Sequence, residues 1–339
     1  MNLDGIRGVR NRGFNSSKES QQEFLSEYGD IIDSILNKVW RPYYETKYPN
    51  GVEYQERNWF KTDKNKICLV LQDFYNRVLF DENFKTLAQN IIWDKYENIS
   101  TLLLSSKEDE FYQQGAFVGQ RVLNGQKRTV LVCPIGEDCR EEPGCIITNA
   151  HRLMLFAHEI SHVLSGKWIK GQKTKEVTQL NGEIDSLFIE KIFIDYLAQF
   201  SDFVAGKLSV SPKDKEYIKK LIEKEKVLYE IEMEKGATDK LTKMVSRRHV
   251  AGFDRWYEMR YIFGEVYADS LYRMYNQNPK DCIIAIKRYE ELLETGHLLN
   301  LDDTAKLVTG GEIKTADAMI RKYCSIKEQE TEKLKEERF

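Results

Sequence analysis

Residues 153–166 read LMLFAHEISHVLSG, and the spacing within this stretch decides the fold. Leu153, Leu155, Phe156, Ile160, Val163 and Leu164 leave the segment almost no polar side, which predicts a helix buried on most of its faces. Into that apolar run the chain sets His158, Glu159 and His162, an H-E-x-x-H arrangement. Side chains four apart on a helix stand one above the other, so the two imidazoles share a face and can share a metal ion. Buried imidazoles and carboxylates need partners, which argues against two idle histidines here. Zinc takes N, O or S ligands in a tetrahedral array, and a hydrolytic zinc keeps one corner for water. Glu159, next to the first histidine, is placed to act on that water as general base.

Two helical histidines need a third protein ligand, and the next acidic cluster is GEIDSLFIEKIFIDYL, residues 182–197. Glu183 and Glu190 are seven apart, two turns along one helical stripe, whereas Asp185 points elsewhere. Glu183 is the expected ligand, with Glu190 placed to orient a ligand histidine through a hydrogen bond. The alternative reading has Glu183 and Glu190 on a solvated face and Glu176 or Asp185 on the metal.

Outward from these stretches, six prolines in 339 residues and long runs of apolar residues at three and four spacing predict a mainly α protein. The expected architecture is a helical catalytic domain with a small β-sheet beside the metal helix. The stretches GQKRTVLVCP (125–134) and GCIITNA (144–150), rich in β-branched residues and bounded by Gly and Pro, are the strand candidates. The organisation reads as a helical scaffold over 1–105, a catalytic region over 106–325 and a charged tail over 326–339. With 41% hydrophobic residues the chain can bury a sizeable core. Lys plus Arg number 51 and Asp plus Glu 54, a net charge of −3, so no global positive field favours nucleic acid or an anionic membrane. There is no apolar stretch of about 18 residues, and a conventional secretion leader is not expected, so the expected location is the cytoplasm, with non-classical export as the alternative. The six cysteines are expected to be reduced. Cys133, Cys139 and Cys145, with five residues between neighbours, fit no zinc knuckle and leave only a thiol switch as a use.

Four separated stretches carry a resemblance to a known family: QGAFVG (114–119), LFAHEISH (155–162), EIDSLFIE (183–190) and HVAGFDRWYEMRYIFGEVYADSLY (249–272). As a set, with YEELLETGHLLNLDDTAKLV (289–308) behind them, they resemble the catalytic half of the thimet oligopeptidase and oligoendopeptidase F metallopeptidases, helical gluzincins, over about residues 110–323. The resemblance implies Zn²⁺ on His158, His162 and Glu183, and hydrolysis of peptide bonds by metal-activated water. It also implies that His249 binds substrate backbone and that Tyr257 or Tyr261 stabilises the oxyanion, a task suited to neutral imidazole and phenol donors. Family members dock an extended peptide on a strand edge near the metal, which makes Val130, Leu131, Val132 and Cys133 the expected docking strand. The chain departs from the family pattern at Phe253, Asp254 and Arg255 in the loop, and at Ser161 and Ser165 in the metal helix. His151 and His297 read as structural or capping residues. The expected substrate is an oligopeptide or an exposed segment of a protein, the second suiting a dedicated exported effector. A zinc-retaining pseudoenzyme that binds peptide or protein without cutting it is the alternative of another class.

Overall fold

The computed structural model describes residues 35–49, 59–97, 99–106, 115–123, 126–139, 142–165, 182–229, 253–296 and 299–337. The described chain is mainly helical, with two small sheets. A π-helical turn, Ile35–Trp40, leads into α1 (Arg41–Lys47). Then follow β1 (Phe60–Asp63), α2 (Lys64–Val78), α3 (Glu82–Ile92), β2 (Ile99–Leu104), β3 (Phe117–Leu123), β4 (Gln126–Pro134), β5 (Glu137–Asp138) and β6 (Cys145–Thr148). The remainder is helical: α4 (Ala150–Leu164), α5 (Ile184–Gln199), α6 (Ser201–Leu208), α7 (215–229), α8 (Phe253–Tyr275), α9 (Pro279–Thr295), α10 (Leu301–Thr309) and α11 (Ala316–Glu336).

Local chemistry explains where the helices begin. Asp63, Asp81, Asn149, Asn278, Asn300 and Thr315 each accept a backbone N–H of the first turn of the helix that follows them, which supplies partners for amides the helix itself leaves unpaired. At its far end α10 stops on Gly310, whose φ of 65° is the left-handed conformation that suits a residue without Cβ.

Helix α5 is the axis of the core. Ile184, Leu187, Phe188, Ile189, Ile192, Phe193, Ile194 and Leu197 are all buried, so it is apolar around nearly its whole circumference. Such a helix must be enclosed by others, and α4, α8 and α9 pack against it. Aromatic contacts bind the layers: Phe193 meets Phe74 of α2 edge-on at 4.8 Å, and Phe188 meets Tyr289 of α9 at 5.3 Å. Each fully buried ring contributes about 1.5–3 kcal/mol from apolar burial alone.

The sheets tie the early chain to the later chain. One has the order β1-β6-β5, all antiparallel, with Phe60 opposite Thr148 and Asp63 opposite Cys145. The other has the order β2-β4-β3, with β2 parallel and β3 antiparallel to β4. Strands β1 and β2 lie in the stretch expected to be purely helical, and through them the 1–105 region shares hydrogen-bonded sheets with the region that follows. Their signal is weak because β1 has only four residues, FKTD, and the Leu-rich end of β2, ISTLLL, suits a helix as well as a strand. The charged residues after 325 continue α11 to Glu336.

One expectation is overturned here. Val130, Leu131, Val132 and Cys133 do not form an exposed edge: they lie fully buried in β4, the central strand, with Val130–Val132 paired on both sides, by Ser100–Leu102 of β2 and Phe117–Gly119 of β3, and Cys133 paired with Leu103. The uninterrupted apolar run that suggested a strand is what a strand covered on both faces requires, and its backbone has no free hydrogen-bonding side to offer a peptide.

Candidate metal centre

Helix α4 is held on three sides. Its cap residue Asn149 accepts from Arg152 N, and Arg152 Nη1 donates to Pro134 O at the end of β4, 2.8 Å away. Tyr75 of α2 donates to Ala157 O at 2.8 Å. The Ser161 hydroxyl lies 2.8 Å from the Tyr289 hydroxyl of α9 and 3.3 Å from Asp185 Oδ2 of α5. Ser161 thus cross-links three helices, and Asp185 serves this link.

With α4 so fixed, His158 and His162 present their rings one turn apart, edge to face, with centroids 4.6 Å apart. Glu183 sits at the residue preceding α5, where the unpaired N–H groups of the helix end favour a carboxylate. Its Oε2 lies 3.5 Å from His158 Nε2 and 3.4 Å from His162 Nε2. The three residues each place a ligand atom within 4.8 Å of the others. Donors about 2.0–2.1 Å from a tetrahedral zinc stand roughly 3.3–3.4 Å apart, so these two separations fit a shared ion, while they are long for hydrogen bonds.

The surroundings orient this donor set. Glu190, two turns along α5 from Glu183, has Oε1 2.6 Å from His158 Nδ1, and its Oε2 accepts from the Tyr229 hydroxyl of α7 at 3.0 Å. A proton on Nδ1 leaves the Nε2 lone pair facing the ligand cluster. On its other side Glu183 is gripped through Oε1 by the Arg260 guanidinium of α8, which leaves Oε2 toward the histidines. Four residues further along α8, a Cβ on Gly264 would come within 2.9 Å of Glu183 Cβ and 2.8 Å of Leu187 Cδ1. The absence of a side chain at Gly264 is therefore what lets α8 approach closely enough for Arg260 to reach the carboxylate.

Electrostatics follow from burial and these pairings. Burial opposes ionisation of Glu183, yet Arg260 and the two imidazoles outweigh it and hold its carboxyl well below the usual range. Burial also opposes a charged His158, but Glu190 and Glu183 hold its proton well above the usual imidazole range. Glu159 is different: burial raises its pKa and the two histidines only partly offset this. Its Oε2 is buried without a hydrogen-bond partner. A buried acceptor left open costs about 1–3 kcal/mol, and this one belongs to the residue next to His158.

The structure thus brings together His158, Glu159, His162, Glu183 and Glu190. Tyr261 is half-buried on α8 and packed against the core, and Tyr257 lies near the start of that helix with only its backbone described. The α8 side chain seated on Glu183 is Arg260. His249, Gln114, Glu176 and His297 lie outside the described residues, and His151 is in the first turn of α4. Arg260, Gly264 and Tyr229 were not singled out by sequence reasoning. The i, i+4 spacing of Arg260 and Gly264 on a helical pattern was the one signal available, and it acquires meaning only once Glu183 is known to lie opposite. Among known proteins, no family model, no curated protein and no solved structure matches this chain.

Proposed function

We propose that the protein is a zinc-dependent peptidase that hydrolyses peptide bonds in oligopeptides or in an exposed segment of a protein, a reading that agrees with the resemblance to the oligopeptidase gluzincins. One observation carries it: two imidazoles and a carboxylate converge within 4.8 Å, beside a buried glutamate oxygen with no partner. His158, His162 and Glu183 would hold the ion. When bound, zinc supplies a Lewis acid that polarises the scissile carbonyl and acidifies water.

The other roles belong to the chain. Glu159 Oε2 accepts the proton of the attacking water and delivers it to the leaving amine nitrogen. Glu190, braced by Tyr229, keeps the His158 ring in register. Arg260 takes one oxygen of Glu183 and so commits the other to the metal. His249 with Tyr257 or Tyr261 would donate to the oxyanion. For docking the peptide backbone, β3 replaces β4: among the described residues it is paired along one side only, by β4, and it packs next to α4. The reading places the protein in the cytoplasm, with non-classical export going together with a dedicated protein target.

The test is metal analysis alongside hydrolysis of a fluorogenic peptide library, before and after chelation. Stoichiometric zinc and cleavage that chelation abolishes and zinc restores are expected. Cleavage that survives complete metal removal would refute the mechanism. A second reading, a zinc-retaining binding module, is favoured by Arg260, a guanidinium on the metal carboxylate from the helix expected to supply an oxyanion-stabilising tyrosine. Stoichiometric zinc without hydrolysis of any peptide would select it.

A further inference from the structure

Apart from the metal centre, the described residues bring two sulfurs together on the hairpin that feeds α4. Strands β5 and β6 pair Glu137 with Ile147 and Asp138 with Ile146. Continued by one residue, this register sets Cys139 opposite Cys145, and Cys139 N donates to Cys145 O at 2.9 Å. Hydrogen-bonded antiparallel partners have Cα atoms about 5.5 Å apart, inside the span of about 4.4–6.8 Å that a disulfide bridges without backbone movement. The side chains turn toward each other, with Cys139 Sγ 2.8 Å from Cys145 Sγ as free thiols. Cys68, Cys133, Cys282 and Cys324 have no such neighbour among the described residues.

We infer that Cys139 and Cys145 are a redox modification site, a dithiol that closes reversibly to an intramolecular disulfide with a small-molecule disulfide such as oxidised glutathione as oxidant. Access sets the order of events. Cys139 is half-exposed whereas Cys145 is buried, and burial together with the neighbouring Cys139 thiol pushes the Cys145 thiol up to about 12. Cys139 therefore reacts first: its thiolate attacks one sulfur of the oxidant, the S–S bond there breaks, and one glutathione thiolate leaves. Cys145 then attacks Cys139 Sγ, the mixed disulfide breaks and the second glutathione thiolate leaves. The cysteine pair loses two electrons, the oxidant gains them, and the two cysteine protons end on the two released thiols. The Lys61 ammonium, paired with Glu142 in the turn between the cysteines, has its proton further held by both sulfurs, so a positive charge stands near the thiolate that must form.

The location gives the bond its consequence. Cys145 begins β6, and only Ile146–Asn149 separate it from the start of α4, the helix that carries His158 and His162. Closing the bridge ties the hairpin at the entrance to the metal helix, independently of whether that helix serves a peptidase.

The experiment uses the full-length wild-type protein, equilibrated in reduced/oxidised glutathione mixtures, alkylated, digested without reductant and mapped by mass spectrometry. Expected is a single cross-linked species joining Cys139 to Cys145, two hydrogens lighter than the reduced pair, with the other four cysteines alkylated. Reduced glutathione should reverse it. Full alkylation of both cysteines in the most oxidising mixture would overturn the inference, as would stable glutathione adducts on Cys139 without ring closure. In Cys145→Ser, a persistent glutathione adduct on Cys139 is expected where wild type shows the bridge; an unmodified Cys139 would count against the order of attack.

Discussion

Replacing Glu159 with Gln removes one charge while keeping the outline of the side chain, and the structure sets opposite signs for its two effects. Glu159 is 5% exposed, and its Oε2 has no partner. Burial, partly offset by His158 and His162, raises its pKa above that of a free carboxyl. A folded-state pKa above the unfolded one means that the stability this group contributes is fully present below the unfolded pKa and is lost as pH rises through the folded one. At neutral pH the metal-free protein therefore carries the cost of a buried, incompletely paired carboxylate, and Glu159→Gln relieves it. The expected gain is about 1–3 kcal/mol, or about 2 °C in Tm per kcal/mol for a chain of this size. The catalytic effect runs the other way. Loss of a general base lowers turnover about 10²–10⁴-fold, roughly 3–5 kcal/mol of barrier, while the zinc content is unchanged. The assay pairs urea unfolding of the metal-free forms with fluorogenic peptide turnover of the zinc forms. A variant that keeps wild-type turnover, or that loses stability and zinc together, would refute the assignment of Glu159 as a base under strain.

Four further outcomes test the site and its surroundings. Glu190→Ala, which takes away the partner of His158 Nδ1, should weaken zinc binding about 10–100-fold by calorimetric titration. Tyr229→Phe, which removes the hydroxyl that donates to the buried Glu190 carboxylate, should cost about 1–3 kcal/mol of stability by urea unfolding. Gly264→Ala should destabilise by about 1–3 kcal/mol through overpacking against Glu183 and Leu187 and lower zinc affinity as well; unchanged affinity would mean that α8 does not set the carboxylate position. Chelation should lower Tm, because zinc at a hundred times its Kd adds about 2.7 kcal/mol to a site present only in the folded chain; an unchanged melting curve would remove the metal from the account.

The sequence made the centre legible where chemistry is written locally. His158, Glu159 and His162 sit within five positions, and the two-turn spacing of Glu183 and Glu190 survives in any helix. What stayed hidden is what only packing decides. Val130–Cys133 look alike whether β4 is an edge or the middle of a sheet, since an apolar strand suits both. β1 and β2 are too short for periodicity to distinguish them from helix. Arg260 reads as one more charged residue on a helix until Gly264 brings that helix against Glu183. Nothing local in the sequence explains Ser161, and the structure gives its hydroxyl Asp185 and Tyr289 as partners.

The grip of α8 on Glu183 has a consequence for biosynthesis. The histidines and Glu183 leave the ribosome well before Arg260, so a nascent chain presents its carboxylate without the guanidinium that later compensates and aims it. Maturation of the site therefore waits for α8 to dock, and a chain interrupted before residue 260 keeps His158, His162 and Glu183 yet lacks the guanidinium that holds Glu183 in place. If the proposed hydrolysis holds, it would begin only after α8 has docked on Glu183.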